Sequence, residues 1–282
     1  MIRIIILFSS LLFFSCSKEL KIEGFAFPEI ESKIILNGII TPSDSIFVSL
    51  HKLRTVGDKT INGKNDGIRN ATVVLENTTT KEKTTLKYLG KNSLYAQSQQ
   101  SFKIIPNNSY HISVSAPTFK SVSASCKVPQ IAAVFGKFAY SEPYNDGFFL
   151  RRRVEGQWID VSLTDSLYYG VNTSSQNGRT PGEITSYSTT LFSEDITKAG
   201  KLYFYNTTAT DNKFPKNYTL LTTERNLYRY YVMAEKIRRI TVSGTGDFFG
   251  AFQGIIPEFT NVENGYGIFG AYLSTTATLT FK

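Results

Sequence analysis

The chain has 282 residues, a formal net charge of +8, 41% hydrophobic residues and 19% charged residues. This composition supports buried cores and excludes an intrinsically disordered chain, and the length suits two domains of ordinary size. The 16 Tyr and 21 Phe favour β-strands, and because Lys and Arg are scattered without a nucleic-acid-binding motif, we expect no nucleic-acid partner.

The first residues have the pattern of an export signal. Arg3 gives a positive start, residues 4–14 are apolar apart from two serines, and Ser15-Cys16 follows. The apolar run is too short to span a bilayer, which needs about 20 apolar residues. The small residue before Cys16 resembles the bacterial lipobox, which implies removal of residues 1–15 and lipidation of Cys16. The alternative is an ordinary cleaved signal with an incidental cysteine.

A lipidated tether over residues 16–33 is predicted next. Several acyl chains hold a protein firmly on a membrane, so we expect attachment to membrane lipid through Cys16. Ser17-Lys18-Glu19 resembles the charged tags that follow the cysteine in surface lipoproteins of the Bacteroidetes. That resemblance implies a lipid-anchored outer-membrane protein whose body faces the cell surface.

Short alternating strands predict a β-sandwich over residues 34–129. Apolar residues recur at every second position in several runs, among them Ile46, Val48, Leu50; Val73, Leu75; and Tyr110, Ile112, Val114. The layout from Asn70 to Tyr110 resembles the transthyretin-like modules of exported proteins. The fold class expected is all-β, with an Ig-like or transthyretin-like sandwich first.

The second cysteine of the chain, Cys126, lies in one of these alternating runs. It shares the apolar face with Val122, Ala124 and Val128. If Cys16 carries lipid, Cys126 has no disulfide partner, and its position predicts a buried, unreactive thiol.

Residues 130–282 predict a second, mainly β domain. Strands are expected at 157–163, 168–169, 185–192, 201–207 and 268–281. Helical spacing of Leu227, Tyr230, Tyr231 and Ala234 predicts one helix near 223–238, packed on the sheet and capped by Thr222 or Thr223. The polar segment 172–182 is interpreted as a long loop that either binds a ligand or is plain connection.

No catalytic, cofactor or metal motif emerges from the sequence. His51 and His111 do not have zinc-ligand spacing, so we predict no metal site and interpret His111 as a solvated residue on a strand. Gly265-Tyr-Gly267-Ile-Phe-Gly270 matches the dinucleotide pattern, but the residues after it predict a strand instead of the required helix. These glycines are interpreted as a tight turn into the last strand, and no cofactor is expected.

Two basic clusters and the aromatic residues leave further alternatives open. Arg151-Arg152-Arg153 and Lys236 to Arg239 could meet lipid phosphates or an acidic partner, although a solvated face is the simpler interpretation. The tyrosines could form a surface that stacks on sugars or peptides, or fill the cores.

The whole chain resembles the Bacteroidetes lipoproteins grouped as domain of unknown function 4249. The resemblance is carried by Lys33-Ile-Ile-Leu-Asn-Gly38, by the module at Asn70 and by the ending Pro257 to Gly270. This family supplies no established activity or site residues to transfer to the chain. Because such lipoproteins are often encoded beside TonB-dependent outer-membrane transporters, the resemblance implies a surface or accessory subunit.

The expected function is therefore a non-enzymatic accessory or ligand-capture subunit of a TonB-dependent outer-membrane β-barrel. The first alternative is a structural subunit of an outer-membrane secretion or barrel-assembly machine. The second is a glycan-active enzyme, which would need two carboxylates about 5 Å apart. Candidates for such a pair are Asp160, Asp165, Glu194 and Asp195.

Overall fold

The computed structural model describes residues 31–53, 67–90, 93–145, 147, 150–158, 161, 167–174, 201–206, 216–242 and 259–279. Cys16, the leader over 1–15 and the tether up to residue 30 lie outside these ranges. The first seven strands are β1 Ile34–Ile40, β2 Ile46–Lys52, β3 Thr72–Asn77, β4 Lys83–Tyr88, β5 Leu94–Gln97, β6 Ser109–Ser115 and β7 Val122–Lys127.

Seven more strands and a helix follow. The strands are β8 Phe135–Tyr140, β9 Tyr144–Asn145, β10 Leu150–Trp158, β11 Tyr168–Ser174, β12 Lys201–Asn206, β13 Lys216–Thr223 and β14 Tyr266–Leu279. The helix, α1, covers Arg225–Val242. The expected fold class is confirmed: the described chain is mainly β, with an N-terminal sandwich followed by further strands and this helix.

The sandwich is built from strands whose apolar residues alternate with polar ones. Buried and half-buried positions alternate strictly through β1, and nearly so through β2 and β6. Strand β4 pairs with β3 over its first four residues and with β5 over Lys87 and Tyr88. By changing partners it carries the sheet around the core, so that β1, β2 and β5 lie on one side and β3, β6 and β7 on the other.

Buried tyrosines connect this core to the loops. The Tyr95 hydroxyl donates to the Ile68 carbonyl at 3.1 Å and accepts from the Ala71 N–H at 3.0 Å. The Tyr110 hydroxyl accepts from the Ile105 N–H at 2.7 Å. A buried hydroxyl needs such partners, and burial raises the pKa of both phenols above the ordinary value.

Strand β14 belongs to both parts of the chain. Its first half pairs in parallel with β1, from Tyr266 opposite Ile35 to Ala271 opposite Ile40. Its second half pairs antiparallel with β13, which in turn pairs with β11. The ten-stranded sheet therefore runs in the order β11-β13-β14-β1-β2-β5-β4-β3-β6-β7. From the sequence we expected all residues after 129 to belong to a second domain. In the structure, Phe269, Ala271 and Leu273 of β14 lie in the core of the sandwich.

Residues 259–265, here called the closing segment, fill the gap between β14 and β7. The Asn261 side chain acts as a strand partner for Phe269: its amide donates to the Phe269 carbonyl at 2.7 Å and its Oδ1 accepts from the Phe269 N–H at 2.9 Å. Glu263 bridges to Ser123 of β7 by backbone hydrogen bonds of 2.8 and 3.4 Å. Since β7 and β14 are thereby joined, the sandwich is closed on this side.

Two glycines allow the closing segment and β14 to approach β1. A Cβ on Gly267, whose φ is +112°, would lie 1.9 Å from the Leu36 carbonyl oxygen. A Cβ on Gly265 would lie 2.6 Å from the Ile34 carbonyl oxygen. The interpretation of these glycines as the entry to a last strand is confirmed, and the close backbone approach explains why glycine is required.

A smaller core lies beyond the sandwich. It comprises Ala133, Trp158, Tyr169, Val171, Tyr218 and Leu220. The Trp158 and Tyr169 rings are 5.6 Å apart, and the Ala133 N–H donates to the Thr222 hydroxyl at 2.9 Å. A further sheet, in the order β12-β10-β8 with β9 beside β10, completes the described strands. The strands predicted at 185–192 and over most of 157–163 lie outside the described residues.

Candidate functional site

Helix α1 packs against the side of β1 and β14 that faces away from the sandwich core. Leu227 lies over Gly270, where an added Cβ would be 3.0 Å from the Leu227 Cβ. The Tyr230 hydroxyl donates to Asn37 Oδ1 of β1 at 3.4 Å. The predicted helix and its packing through Leu227 and Tyr230 are therefore confirmed, although the helix begins at Arg225 and extends to Val242.

The cap of this helix differs from the prediction. Glu224 precedes the helix, and its carboxylate accepts from the Asn226 N–H at 2.8 Å and the Leu227 N–H at 3.2 Å. Thr222 and Thr223 are fully buried at the end of β13, where the Thr223 hydroxyl donates to the Ala271 carbonyl at 2.9 Å. The prediction of a threonine cap was wrong because strand β13 continues through both threonines and uses their hydroxyls for tertiary contacts.

Glu224 combines two opposing electrostatic effects. Burial raises the pKa of its carboxyl above the ordinary value, and the two backbone hydrogen bonds partly offset this. Burial raises the pKa of the nearby Cys126 thiol far above its ordinary value, and the Glu224 charge adds to this. Cys126 is a free, buried cysteine, as its alternating strand predicted, and it is not poised as a nucleophile.

Aromatic side chains from α1, β11, β14 and the closing segment form a half-buried cluster around the start of the helix. We call it the tyrosine face, and it comprises Tyr168, Tyr228, Tyr230, Tyr231 and Tyr272 with Arg229 and Phe259. The Tyr168 and Tyr228 rings stack at 4.3 Å with an interplanar angle of 15°. The exposed Arg229 guanidinium lies 4.3 Å from the centroid of the Phe259 ring, which ties the helix to the closing segment.

The inner part of the tyrosine face is desolvated. Burial raises the pKa of Tyr230, Tyr231 and Tyr272 above the ordinary phenol value. In Tyr231 the neighbouring Tyr272 and Tyr230 phenols raise the pKa further, and in Tyr272 the charge of Asp44 does so. These phenols remain neutral hydrogen-bonding groups at physiological pH. The stacked Tyr168 and Tyr228 rings and the exposed Arg229 guanidinium, which surround these buried phenols, suit contact with a sugar or with peptide side chains.

A pair of polar side chains on the sandwich was missed from the sequence. His111 Nδ1 lies 2.9 Å from the Ser125 hydroxyl, and Glu76 is opposite His111 on the neighbouring strand. A base beside a hydroxyl is the arrangement of an activated nucleophile. The His111–Ser125 pair is exposed, however, and the Glu76 carboxylate forms an ion pair with Lys83 at 3.1 Å. We therefore interpret the contact of His111 with Ser125 as a cross-strand hydrogen bond and not as a catalytic pair. Only the register of β6 and β7 brings these residues together.

The residues singled out from the sequence have different outcomes. Cys16 and the carboxylates Asp160, Asp165, Glu194 and Asp195 lie outside the described residues, as does the loop beyond residue 174. Arg151 to Arg153 lie in β10 and Lys236 to Arg239 in α1, where the structure describes their backbone. Within the described ranges, no group of three or more His, Cys, Asp or Glu side chains could hold a metal ion.

In the part of the chain that the structure describes, no helix combines the length and the apolar character that crossing a membrane requires. The sequence profile of the family described as domain of unknown function (DUF4249) matches residues 22–278. No curated protein matches the chain. Among solved structures, the FN1–FN3 domains of chicken CNTN1 are similar at 8% identity and a TM-score of 0.28. The match covers 88% of this chain and 66% of that one, slightly less than two thirds.

Proposed function

The chain belongs to the DUF4249 family, and from this premise we propose that it is a lipid-anchored outer-membrane lipoprotein. In this proposal Cys16 carries the lipid and the β body serves, without enzymatic activity, as an accessory or ligand-capture subunit of a TonB-dependent β-barrel transporter. The observation that supports anchoring is the lipobox-like Ser15-Cys16, which lies shortly before residue 22, where the family match begins.

The tyrosine face supports the binding part of the proposal. It combines stacked rings with the exposed guanidinium of Arg229. Val232, which is 43% exposed, lies beside it on the helix, one turn after Tyr228 and three residues after Arg229. Aromatic residues and arginine are the side chains that contribute most to protein interfaces. Arg229 stacks on Phe259 of the closing segment, and Leu227 of the same helix packs over Gly270 of β14. The helix that carries this face is therefore held by the closed sandwich and not by a free loop.

Purification in mild detergent tests the proposal. The full-length protein, tagged at its C-terminus and expressed in a Bacteroidetes host, should bring down a TonB-dependent β-barrel. Arg229→Ala with Val232→Ser should lose the partner while the lipid on Cys16, read by mass spectrometry, stays. Arg69→Ala with Leu89→Ser, a matched exposed pair on the sandwich, should keep it. Repeated recovery of the protein without a β-barrel would contradict the proposal.

A deletion strain distinguishes the transporter role from the assembly role. Loss of growth on a single nutrient supports a transporter subunit. A broad decrease of outer-membrane proteins would instead support a secretion or barrel-assembly subunit and overturn the proposal. Protease treatment of intact cells, with cleavage of the body as the expected result, tests the cell-surface orientation.

A further inference from the structure

The side of helix α1 that faces away from the sheet carries a row of basic residues. Of the helix residues whose side chains the structure describes, those that are exposed are Arg225, Arg229 and Val232. Lys236 and Arg239 continue the same alternation of four-residue and three-residue steps, which keeps residues on one side of a helix. We call the five residues Arg225, Arg229, Val232, Lys236 and Arg239 the basic stripe.

Positive charge dominates the stripe. Helix α1 has five basic residues and one acidic residue, and that acid, Glu235, falls outside the spacing of the stripe. The Arg229 guanidinium lies 4.3 Å from the centroid of the Phe259 ring, which restricts its orientation. Among the described residues, neither Arg225 nor Arg229 has an ion-pair partner. Unpaired cations held on a packed helix favour a complementary negative surface.

The length and shape of the stripe indicate a macromolecular partner. A helix rises 1.5 Å per residue, so the stripe extends for about 21 Å from Arg225 to Arg239. It lies on the outside of a helix, whereas small ligands bind in concave pockets. A surface of this length and convexity suits another macromolecule and not a small anion.

A protein surface fits the stripe better than a lipid surface. A helix that lies on a membrane buries its apolar side among the lipids. The apolar side of α1 is already occupied, because Leu227 and Met233 are buried in the structure. Val232 lies at the midpoint of the stripe, and an apolar centre surrounded by polar and charged residues is the usual arrangement of a protein interface.

We propose that the basic stripe docks on an acidic face of a partner protein, whose carboxylates bind Arg225, Arg229, Lys236 and Arg239 around Val232. This inference rests on the proposed function, in which α1 holds a partner subunit, and it adds the chemistry of the surface that the partner presents. Arginine suits such a surface because its planar guanidinium binds a carboxylate through two parallel hydrogen bonds. Since the charges surround the contact, salt should weaken the complex by screening them.

Titration with a defined acidic probe tests the stripe by itself. The probe is a fluorescent helical peptide with glutamates along one face, added to the full-length lipidated protein in mild non-ionic detergent. Arg225→Glu with Arg229→Glu should weaken binding more than about tenfold, because two attractive contacts become repulsive. Lys103→Glu with Lys120→Glu makes the same change in net charge at exposed positions of the sandwich and should weaken binding less than about twofold. Equal losses would show that the probe responds only to net charge, and this would overturn the proposal.

Salt and lipid provide two further outcomes. Circular dichroism checks that the variants fold; whether or not they do, the unmutated protein should release the peptide as salt rises, and binding that salt does not weaken would overturn the proposal. Phosphatidylglycerol in mixed micelles is the competing anionic surface and should displace the peptide only weakly. If it displaces the peptide as effectively as unlabelled peptide of equal charge does, the stripe recognises lipid phosphates and the proposal of protein docking is wrong.

Carbodiimide coupling tests the same surface in the complex with the partner. This reagent joins a lysine amine to a carboxylate in direct contact, so Lys236 should become coupled to an Asp or Glu of the co-purified β-barrel, whereas Lys103 should not. Substituting lysine for that acid should restore the complex in the Arg225→Glu variant. Recovery of the β-barrel without coupling at Lys236 would overturn the stripe proposal and leave the proposed function standing. Absence of any β-barrel would contradict the proposed function, and the peptide titration would still decide the stripe proposal.

Discussion

The two cores of the molecule differ in how they are closed. The sandwich core has 24 buried residues among those described, and the closing segment and β14 complete it from the far end of the chain. The second core has six, and a tryptophan and two tyrosines supply much of its volume. Because β14 pairs with β1 and with β13, a continuous strand joins the smaller region to the sandwich. Because the sandwich has the larger core and is closed by a distant segment, we expect it to be the more stable unit.

The largest expected effect comes from breaking this closure at Gly267. In Gly267→Ala the new Cβ would overlap the Leu36 carbonyl oxygen, and alanine at φ +112° is itself strained. We expect a loss of more than about 3 kcal/mol in the free energy of unfolding, or failure to fold. Chemical denaturation measures it. Gly90→Ala, with φ +77° but open space around the added Cβ, should cost only about 1 kcal/mol. Similar costs for the two variants would contradict the close approach of β14 to β1.

The second largest effect is expected in the smaller core and tests whether the two cores open independently. Leu220→Ala should remove about 2–5 kcal/mol from the second region, because Leu220 is fully buried there. Amide hydrogen exchange should quicken in β11 and β13 but not in β3 and β6. Leu75→Ala, in an equally buried sandwich position, should quicken exchange throughout both regions. If Leu220→Ala quickened exchange in β3 and β6 as strongly as in β13, the two cores would form one unit and this distinction would be wrong.

A smaller effect is expected at Asn261. Asn261→Ala leaves the Phe269 N–H and carbonyl without their side-chain partner, and we expect a loss of about 1–3 kcal/mol in the free energy of unfolding. Thermal unfolding measures it, with Thr276→Ala on the exposed side of β14 as the control. A stability equal to that of the control would show that Asn261 does not hold the closing segment.

The smallest effect concerns Glu224. Burial raises its folded pKa, so the folded chain holds this proton more tightly than the unfolded chain. Its contribution to the free energy of unfolding therefore falls as pH rises from the ordinary value of 4.5 to the folded pKa. Glu224→Gln should flatten this dependence, measured by urea unfolding between about pH 4 and pH 8. If the free energy of unfolding changed with pH in the same way for Glu224→Gln and for the unmodified protein, this role of Glu224 would be contradicted.

Much of the sandwich could be predicted from the sequence because its strands bury alternate residues. Val73 and Leu75, Tyr110 and Ile112, and Cys126 all lie on the core side as their spacing indicated. The last strand was also predicted, but its parallel pairing with β1 was not, since local alternation carries no information about a partner more than 200 positions away. The contacts of Ser125 with His111 and of Glu263 with Ser123 could not be predicted either, because they too depend on which strands become neighbours.

The tyrosine face was predictable in part. Helical spacing placed Leu227, Tyr230 and Tyr231 on one side of a helix and favoured packing on the sheet. The stacking of Tyr168 on Tyr228 and of Arg229 on Phe259 could not be predicted, because it depends on how β11 and the closing segment meet the helix. Glu224 was missed as the cap because two threonines beside it match the usual N-cap residues better.

Native-state hydrogen exchange tests the central claim most directly. If the closing segment and β14 complete the sandwich, the Phe269 amide should exchange only through the same global opening as the Ile112 and Val114 amides of β6, with one denaturant dependence. Exchange of Phe269 through an earlier, smaller opening shared with β11 and β13 would contradict it, because the C-terminal strand would then belong to the second region alone.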